Sequence, residues 1–337
     1  MSDRRLLVVG NGFDLAHGLK VTYNDMLNVL FSNNRPSWLT HQQHVKYTYN
    51  QLLVHFRKKH ISPTWTGFEN ELMEIINFYK SSEPSGKITT KNSTNTIIPD
   101  QSLYSEYESL NKTNKLHATY QFDTLWSTLR QMLNDTIDYV DLYLQNIDYD
   151  SISSYPAKIY KEKYDYYLSF NYTDTYKKQI RKVTSRDPSC PAIYPFDTKK
   201  HFIHGLAGHR VNGTSQIVLG INSQLRQIDA NDESTIHTLY FEKTVQRIQK
   251  QTNIYYRKWF SNGGADKIYT DIFGHSLSLP DKDVILFLIE HSEQTKIYYY
   301  NQQDYEQKII NLIKLYESTE KFEEKYYDNK IIFEKST

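Results

Sequence analysis

The chain has 337 residues, enough for one large or two modest domains with a buried core. Lysine and arginine total 40 against 39 aspartates and glutamates, so no overall basic field attracts nucleic acid, and a nucleic-acid partner is not expected. The single cysteine, Cys190, excludes a disulfide framework and a zinc module of four cysteines. No run of about 18 apolar residues occurs, which predicts a cytoplasmic protein outside the membrane.

The first predicted strand, residues 6–9, leads into the motif Gly10-Asn11-Gly12-Phe13-Asp14 and a helix start. Glycines let backbone amides approach a pyrophosphate closely, and the amino terminus of a helix favours negative charge. The motif therefore predicts a nucleotide-binding turn, in which Asp14 contacts a ribose hydroxyl. The third glycine of the dinucleotide fingerprint is absent, since Leu15 takes its place. The alternative is a tight structural turn in which Asp14 caps the helix.

A large insertion follows this strand. About 150 residues separate it from the next convincing strand, residues 164–170, whereas a crossover needs far fewer. We therefore predict a helical insertion over residues 21–154. Apolar residues recur every three or four positions between Leu125 and Leu144, which predicts one long amphipathic helix. Residues 81–114 are rich in Ser, Thr, Asn and Lys and predict a mobile surface loop, either plain disorder or a lid.

Two candidate site residues lie at the ends of the next two predicted strands. The amide of Asn171 offers both a donor and an acceptor and can orient a water or a ribose hydroxyl, with a cap for the following helix as the alternative. Imidazole exchanges protons near neutral pH, so His204, which ends residues 201–204, is a candidate general base or a structural histidine. His201, His204 and His209 do not suit zinc, because positions three apart on a strand point to opposite faces.

Beyond Asn171 the chain alternates between predicted helices and predicted strands. The helices are residues 174–183, 281–291 and 304–316, with one or two more over residues 235–258, and the strands are residues 201–204, 217–221, 268–273 and 296–300. This alternation favours an α/β fold with a mostly parallel sheet and helices on both faces. The predicted nucleotide-binding core is residues 1–20 and 155–320. A charged C-terminal tail, residues 321–337, contains one candidate edge strand at residues 330–333.

The strand at residues 268–273 is followed by Gly274-His275-Ser276-Leu277, which repeats the order of strand, glycine turn and helix. Asp281 begins the next helix and is expected to cap it. Parallel strands end at one edge of a sheet, so the motif residues are expected to meet in one cleft: Gly10, Gly12, Asn171, His204 and Ser276. The two glycine turns would hold the two ends of a dinucleotide. The alternative for the second turn is a purely structural bend fixed by Gly274.

The order of these motifs resembles that of the AbiH family of bacterial abortive-infection proteins, which act against phage. The matching segments are Gly10-Asn11-Gly12-Phe13-Asp14-Leu15, Ser169-Phe170-Asn171-Tyr172-Thr173, His204-Gly205 followed by Leu219-Gly220-Ile221, and Gly274-His275-Ser276-Leu277 with Asp281. Glu69 after Trp65-Thr66-Gly67-Phe68 fits a pattern associated with the same family, and a solvated helix surface is its alternative. The resemblance spans the whole chain and implies a role in phage defence.

More remotely, the chain is similar to the sirtuin-like NAD-binding domains of bacterial defence systems. That similarity implies a Rossmann-like (sirtuin-like) core that takes NAD as substrate or ligand. It also implies that Asn171 lies next to the nicotinamide ribose, that His204 is the general base, and that Ser276 and nearby amides contact ribose or phosphate. Thr173 stands where those enzymes carry an aspartate, with Asp174 displaced by one position. The lack of a four-cysteine zinc module argues against a sirtuin deacetylase.

Together these two resemblances imply a phage-defence effector that binds NAD and hydrolyses it to nicotinamide and ADP-ribose. Asn171 would orient the attacking water, His204 would take its proton, and no metal is expected. The predicted cofactor-binding residues are Gly10, Asn11, Gly12, Phe13, Asp14, Thr173, Gly274, His275 and Ser276.

Two alternatives to NAD hydrolysis stay open. One is a magnesium-dependent nuclease that uses carboxylates of Asp14, Glu69, Asp174 and Asp281. The other is a non-catalytic nucleotide sensor. The expected partner is a small-molecule nucleotide, alongside a second copy of the chain or a phage-derived trigger.

Overall fold

The computed structural model describes residues 3–59, 65–81, 118–186, 198–221, 233–252, 254–261 and 267–336. The chain divides into two compact units. Unit 1 comprises Met1–Val21, Ile147–Ile217 and Arg247–Thr337, and unit 2 comprises Thr22–Asn146 and Val218–Gln246. Unit 2 therefore combines most of the predicted insertion with a segment from the second half of the chain. The predicted mobile loop lies, from residue 82 onward, outside the described residues.

The described part of unit 1 is built around one sheet of six parallel strands. The strands are β1 (Arg4–Val9), β2 (Tyr166–Ser169), β3 (Lys199–Phe202), β6 (Ile268–Phe273), β7 (Gln294–Tyr299) and β8 (Ile331–Lys335), while β4 (Arg210–Val211) and β5 (Thr214–Ser215) form a separate antiparallel hairpin. Across the sheet the order is β3-β2-β1-β6-β7-β8, with every neighbouring pair parallel. Counted within the sheet alone, this is the Rossmann order 3-2-1-4-5-6, which reverses direction between β1 and β6. The predicted α/β, Rossmann-like fold is confirmed.

Helices occupy much of the remaining described chain. They are α1 (Asn11–Ala16), α2 (Tyr23–Leu30), α3 (His41–Thr48), α4 (Gln51–Lys58), α5 (Trp65–Ser81), α6 (Ala118–Gln145), α7 (Ala157–Tyr160), α8 (Thr175–Arg186), α9 (Glu233–Leu239), α10 (Lys243–Gln249), α11 (Lys282–His291), α12 (Gln302–Tyr316) and α13 (Thr319–Tyr327). Short 3₁₀ helices cover Tyr255–Phe260 and Leu279–Asp281. Within the described ranges, no helix has the length and apolar character required to cross a bilayer.

The sheet of unit 1 is covered on both faces, as the run of apolar residues in β1 predicts. Side chains alternate along a strand, so Leu6 and Val8 face one side and Leu7 and Val9 face the other. The first pair belongs to a buried cluster with apolar residues of α11 and α12. The second pair belongs to a cluster with residues of α7 and α8. A strand buried on both faces has no polar side to expose, which explains the continuous run.

Most predicted elements of unit 1 are present with small changes at their ends. Strand β6 has the predicted bounds, and α11 begins one residue later than predicted. Strand β2 is shorter than predicted and ends at Ser169, so Asn171 lies in the following loop. The charged tail contains helix α13, whose Phe322 is buried in the core, and the edge strand β8. The charged residues of the amphipathic helix α13 thus led to the prediction of a charged tail.

The predicted strand at residues 217–221 is wrong, although these residues are buried. Leu219 hydrogen-bonds instead to the side chain of Gln246: its N–H donates to Oε1 at 3.0 Å, and its carbonyl accepts from Nε2 at 2.9 Å. The glutamine amide therefore substitutes for a neighbouring strand. Gly220 is needed there, because a Cβ at this position would lie 2.2 Å from the Phe241 carbonyl oxygen. Only Ile221 makes an isolated bridge, to Glu242.

The described part of unit 2 is helical, as predicted for the insertion. Helix α6 is continuous, and its apolar stripe from Leu129 to Leu144 is buried, which confirms the predicted long amphipathic helix. The alternative for Glu69, a solvated helix surface, is wrong. Glu69 is 7% exposed, and its carboxylate lies 2.6 Å from the ammonium group of Lys243. A buried carboxylate needs such a partner, so Glu69 has a structural ion pair within unit 2.

Candidate functional site

The four sequence motifs meet at the carboxyl edge of the sheet in unit 1. Strands β1, β2, β3 and β6 are adjacent and parallel, so the loops that follow them leave the sheet side by side. Hydrogen bonds join these loops directly. Asn171 Nδ2 donates to the Gly10 carbonyl at 3.0 Å, and the Gly12 N–H donates to the Gly274 carbonyl at 2.8 Å. The first and last motifs thus meet at the point where the strand order reverses, which is where α/β sheets bind ligands.

The glycines of the first and last motifs are required because the two turns touch. A Cβ on Gly12 would lie 2.7 Å from the Gly274 Cα, and one on Gly274 would lie 2.3 Å from the Phe13 nitrogen. Gly274 also has a φ of +69°, which favours glycine. The N–H groups of Gly10, Gly12 and Phe13 donate to the carbonyls of Phe273, Gly274 and Gly10, respectively. A pyrophosphate would have to replace these bonds, so phosphate binding by this turn stays a prediction.

Asp14 lies at the buried centre of the first motif. Its carboxylate is 1% exposed and accepts a hydrogen bond from the Thr173 hydroxyl, which in turn accepts from Thr175 Oγ1 at 3.2 Å. Burial raises the pKa of Asp14 to about 6, although the hydrogen bond from Thr173 and the nearby polar side chains of Thr175 and Asn171 lower it. No described residue hydrogen-bonds to Asp14 Oδ1. The helix-cap alternative is wrong, because Gly10 occupies the cap position of α1.

Asn171 is buried and ties the loop after β2 to the loop after β1. Its backbone N–H donates to Ser169 Oγ at 3.0 Å, and the Ser169 hydroxyl donates to the Asn171 carbonyl at 3.1 Å. The side chain is thereby aimed at the Gly10 carbonyl. The alternative of a helix cap is wrong for Asn171, since the Lys177 N–H donates to Asp174 Oδ1 at 3.4 Å at the start of α8. Contact of Asn171, or of Thr173 in the same loop, with a ligand stays a prediction.

His204 forms a chain of buried side chains with Asp281 and His275. Its Nδ1 lies 3.2 Å from the Phe170 carbonyl oxygen and its Nε2 lies 3.0 Å from Asp281 Oδ1. The other carboxylate oxygen, Oδ2, lies 3.3 Å from His275 Nε2. The three side chains are between 5% and 8% exposed. The expectation that Asp281 caps α11 is wrong: Asp281 occupies the cap position, but its side chain makes no capping bond and contacts the histidines instead.

The last motif is held from outside by helix α12. Lys308 Nζ donates to the His275 carbonyl at 3.1 Å and to Asp304 Oδ1 at 2.8 Å. Asn311 Nδ2 donates to the Ser276 carbonyl at 2.7 Å. Leu277 adopts a φ of +57°, which is uncommon for a residue with a side chain and turns the chain sharply. Ser276 itself is exposed, and its hydroxyl donates to Ser278 Oγ at 3.0 Å.

The family model for bacteriophage abortive infection AbiH proteins matches residues 6–301, which include all of these motifs. The chain belongs to the AbiH family. This membership indicates a role in abortive infection of phage. No curated protein and no solved structure matches the chain.

The described residues of this AbiH protein contain no group of three or more His, Cys, Asp or Glu side chains positioned to hold a metal ion. The carboxylates of the nuclease alternative have separate partners. Asp14 accepts a hydrogen bond from Thr173, and Asp174 Oδ2 lies 3.4 Å from Lys200 Nζ. Glu69 pairs with Lys243, and Asp281 contacts two histidines. Nothing in this arrangement favours a magnesium site built from these four residues.

Sequence reasoning missed the histidine contacts of Asp281 and three polar residues of helix α12. Asp281 was a helix-cap candidate, yet its carboxylate joins His204 to His275. Asp304, Lys308 and Asn311 were hidden within a predicted amphipathic helix. Their spacing of four and three residues places them on one face of α12 beside buried Leu312, a polar stripe that periodicity analysis could have detected.

Proposed function

We propose that this AbiH protein acts in phage abortive infection by binding NAD at the carboxyl edge of the unit 1 sheet and hydrolysing its nicotinamide–ribose bond. The observation that supports the proposal is the meeting of Asn171 and the His204–Asp281 pair with the two glycine turns, at the reversal of a Rossmann strand order. Buried polar groups concentrated at one edge of a sheet are a usual feature of ligand sites. An NAD-depleting effector would stop the metabolism of an infected cell.

The proposed reaction needs few chemical groups. Water attacks C1′ of the ribose as the bond to the nicotinamide nitrogen breaks, and the bonding electrons return to the ring, which leaves as neutral nicotinamide. The carboxamide oxygen of Asn171 would accept a hydrogen bond from the water and orient it. The proton that the water loses would pass to the His204–Asp281 pair. Ser276 would contact a ribose or phosphate oxygen from the exposed side of the last turn.

The test uses purified full-length protein incubated with NAD, with nicotinamide and ADP-ribose measured by chromatography. We expect both products in equal amounts, with or without EDTA. In Asn171→Ala we expect turnover to fall by about 100-fold or more, while NAD affinity changes by less than tenfold. Protection of cells against phage should be lost in parallel.

The matched control is Gln179→Ala. Gln179 is also a buried amide of unit 1 and donates to a backbone carbonyl, that of Tyr149 at 3.2 Å, but it lies outside the four motifs. Gln179→Ala should keep NAD turnover per folded molecule. If NAD binds but no nicotinamide is released, hydrolysis is refuted and the non-catalytic nucleotide sensor is favoured. If NAD is neither bound nor hydrolysed, the assignment of NAD to this edge is refuted.

A further inference from the structure

The loop that carries Asn171 is held at two points by the first motif. The Asn171 carboxamide donates to the Gly10 carbonyl at 3.0 Å, and the Thr173 hydroxyl donates to the carboxylate of Asp14. Gly10 and Asp14 belong to one short segment, the turn after β1 and helix α1. Because Asn171 uses its amide nitrogen for Gly10, its carboxamide oxygen is the arm that would hold the water of the proposed reaction. The position of this oxygen therefore depends on how firmly the loop is held.

The hydrogen bonds at the second point have a fixed direction. Thr173 has one hydroxyl proton, which it donates to Asp14, while its oxygen accepts from Thr175 Oγ1 at 3.2 Å. The two hydroxyls thus lead to a carboxylate, a group that can only accept when it is ionised. All three side chains are buried, with exposed fractions of 1% for Asp14, 3% for Thr173 and 0% for Thr175. The carboxylate is therefore the group that fixes this end of the loop.

A proton on Asp14 would weaken this hold. A hydrogen bond to an ionised carboxylate is roughly twice as strong as one between neutral groups. While Thr173 donates to Oδ2, an added proton must lie on Oδ1, which has no hydrogen-bond partner among the described residues. Burial raises the pKa of Asp14 to about 6, so both forms are populated near that pH. Ionisation costs free energy of folding because the carboxylate is buried, yet it strengthens the bond to the loop.

We propose that Asp14 is a positioning residue for the proposed reaction: its ionised carboxylate, through Thr173, fixes the loop that presents Asn171, and its protonation loosens that loop. The effect on the rate rests on the proposed NAD hydrolysis, whereas the effect on the loop does not. With a pKa of about 6, the ionised fraction of Asp14 rises from about a tenth at pH 5 to about nine tenths at pH 7. Both effects should therefore span about tenfold over that range.

Asp14 is the group of its surroundings that changes charge in this range together with the loop. The other ionisable side chains around Asp14 and its neighbour Lys178 are His17, Tyr149, Tyr167 and Asp174. Burial raises the pKa of each tyrosine and lowers that of His17 to about 4, so these three stay neutral near pH 6. Lys178 Nζ lies 3.7 Å from the centre of the Tyr149 ring, and its cation favours the ionised form of Asp14.

The first experiment needs no substrate. Full-length protein is transferred to heavy water at pH 5, 6 and 7, and mass spectrometry measures the protection of residues 170–174 relative to the intrinsic exchange rate at each pH. We expect protection to rise about tenfold from pH 5 to pH 7 in the wild type. It should be independent of pH in Asp14→Asn, whose amide oxygen can still accept from Thr173 but carries no charge. Equal protection at pH 5 and pH 7 in the wild type would overturn the proposal, and this arm needs no variant.

Threonine variants test the path through Thr173. Thr173→Val removes the hydroxyl but keeps the shape of the side chain, so the loop should be weakly protected at both pH values, and Thr173→Ser should restore the dependence on pH. Thr198→Val is the matched control, because Thr198 is also a buried threonine of unit 1 but donates to the Tyr164 carbonyl, at 3.1 Å. Its loop should behave as in the wild type. A dependence on pH that persists in Thr173→Val would show that Asp14 does not act through Thr173 and would overturn the proposal.

The second experiment measures nicotinamide release. The ratio of kcat in the wild type to kcat in Asp14→Asn should rise about tenfold between pH 5 and pH 7, with a smaller change in KM for NAD. Titrations that the two proteins share cancel in this ratio. A constant ratio would refute the role of Asp14 in the reaction. If no nicotinamide is released but loop protection follows pH, NAD hydrolysis is refuted and the hold of Asp14 on the loop stands. If nicotinamide is released but loop protection is constant, the proposal for Asp14 is refuted and NAD hydrolysis stands.

Discussion

Two buried histidines in unit 1, His17 and His204, share one contact and differ in the other. Each places Nδ1 against the carbonyl of a phenylalanine, Phe13 or Phe170. The second nitrogen of His17 meets the Tyr160 hydroxyl, whereas that of His204 meets the Asp281 carboxylate. Burial lowers the pKa of His17 to about 4, so His17 stays neutral. The two histidines thus differ in their second partner, a hydroxyl for His17 and a carboxylate for His204, and only His204 belongs to the proposed reaction.

Variants at His204 and at His17 should differ most in their turnover of NAD. His204→Gln removes the proton acceptor of the proposed reaction, and NAD hydrolysis should fall about 100- to 10,000-fold. His17→Gln can keep both hydrogen bonds of the histidine, because its amide donates to Phe13 and accepts from Tyr160, so turnover per folded molecule should change by less than about twofold. Steady-state rates of nicotinamide release compare the two. Equal losses in both variants would show that the His204 effect is structural.

The loops around His204 should tolerate fewer substitutions than open turns. In Gly274→Ala the added Cβ would lie 2.3 Å from the Phe13 nitrogen, and the backbone at this position is left-handed. We therefore expect the free energy of unfolding to fall by about 3 to 4 kcal/mol. Gly213→Ala is the matched control, because Gly213 has a φ of +80° but no atom lies within 4 Å of an added Cβ. Here we expect the free energy of unfolding to fall by about 1 to 2 kcal/mol. Chemical denaturation measures both. Similar losses would mean that contact between the two glycine turns contributes nothing.

Asp14 lies three residues before His17 in the chain. Its pKa shift should make the free energy of unfolding depend on pH in the opposite direction to that of His17. The pKa of Asp14 rises from 3.8 to about 6 on folding, so the native state binds more protons in that range. Stability from this group is present below pH 4 and is lost as pH rises through 6, by about 3 kcal/mol. Asp14→Asn removes this dependence. The advantage of the variant over the wild type, measured by urea unfolding, should grow between pH 4 and pH 7; a constant difference would contradict the raised pKa.

His17→Gln tests the complementary effect. The pKa of His17 falls from 6.5 to about 4 on folding, so the unfolded chain binds more protons between these values. Its contribution to stability is present above pH 6.5 and is lost as pH falls through 4, by roughly 2 kcal/mol after allowance for its partial burial. The variant should therefore gain on the wild type as the pH falls from 7 to 4, the reverse of Asp14→Asn. Parallel pH profiles for the two variants would contradict this opposition.

The site could be predicted to the level of its loops but not to the level of its contacts. The sequence located Asn171, His204 and the two glycine turns, because each follows a short apolar run that ends at a turn. It could not show that the amides of the first turn bond to the last turn, since Gly12 and Gly274 are far apart in the chain. For the same reason Asp281 was expected to be a cap. Local sequence reports what a residue can do for its own helix, and only the fold shows which distant group it meets.

The sequence by itself determined most strands of the unit 1 sheet and several of its helices, the long helix α6 and the order of the motifs along the chain. Periodicity of apolar residues is a local property, and it fixed β6 and α11 to within one residue. The tertiary structure alone decided that Leu219 pairs with the Gln246 side chain instead of a strand, that Glu69 pairs with Lys243, and that Asp281 joins two histidines. The physical reason is that buried polar groups must find partners, and those partners come from whichever segment the fold brings within about 3 Å.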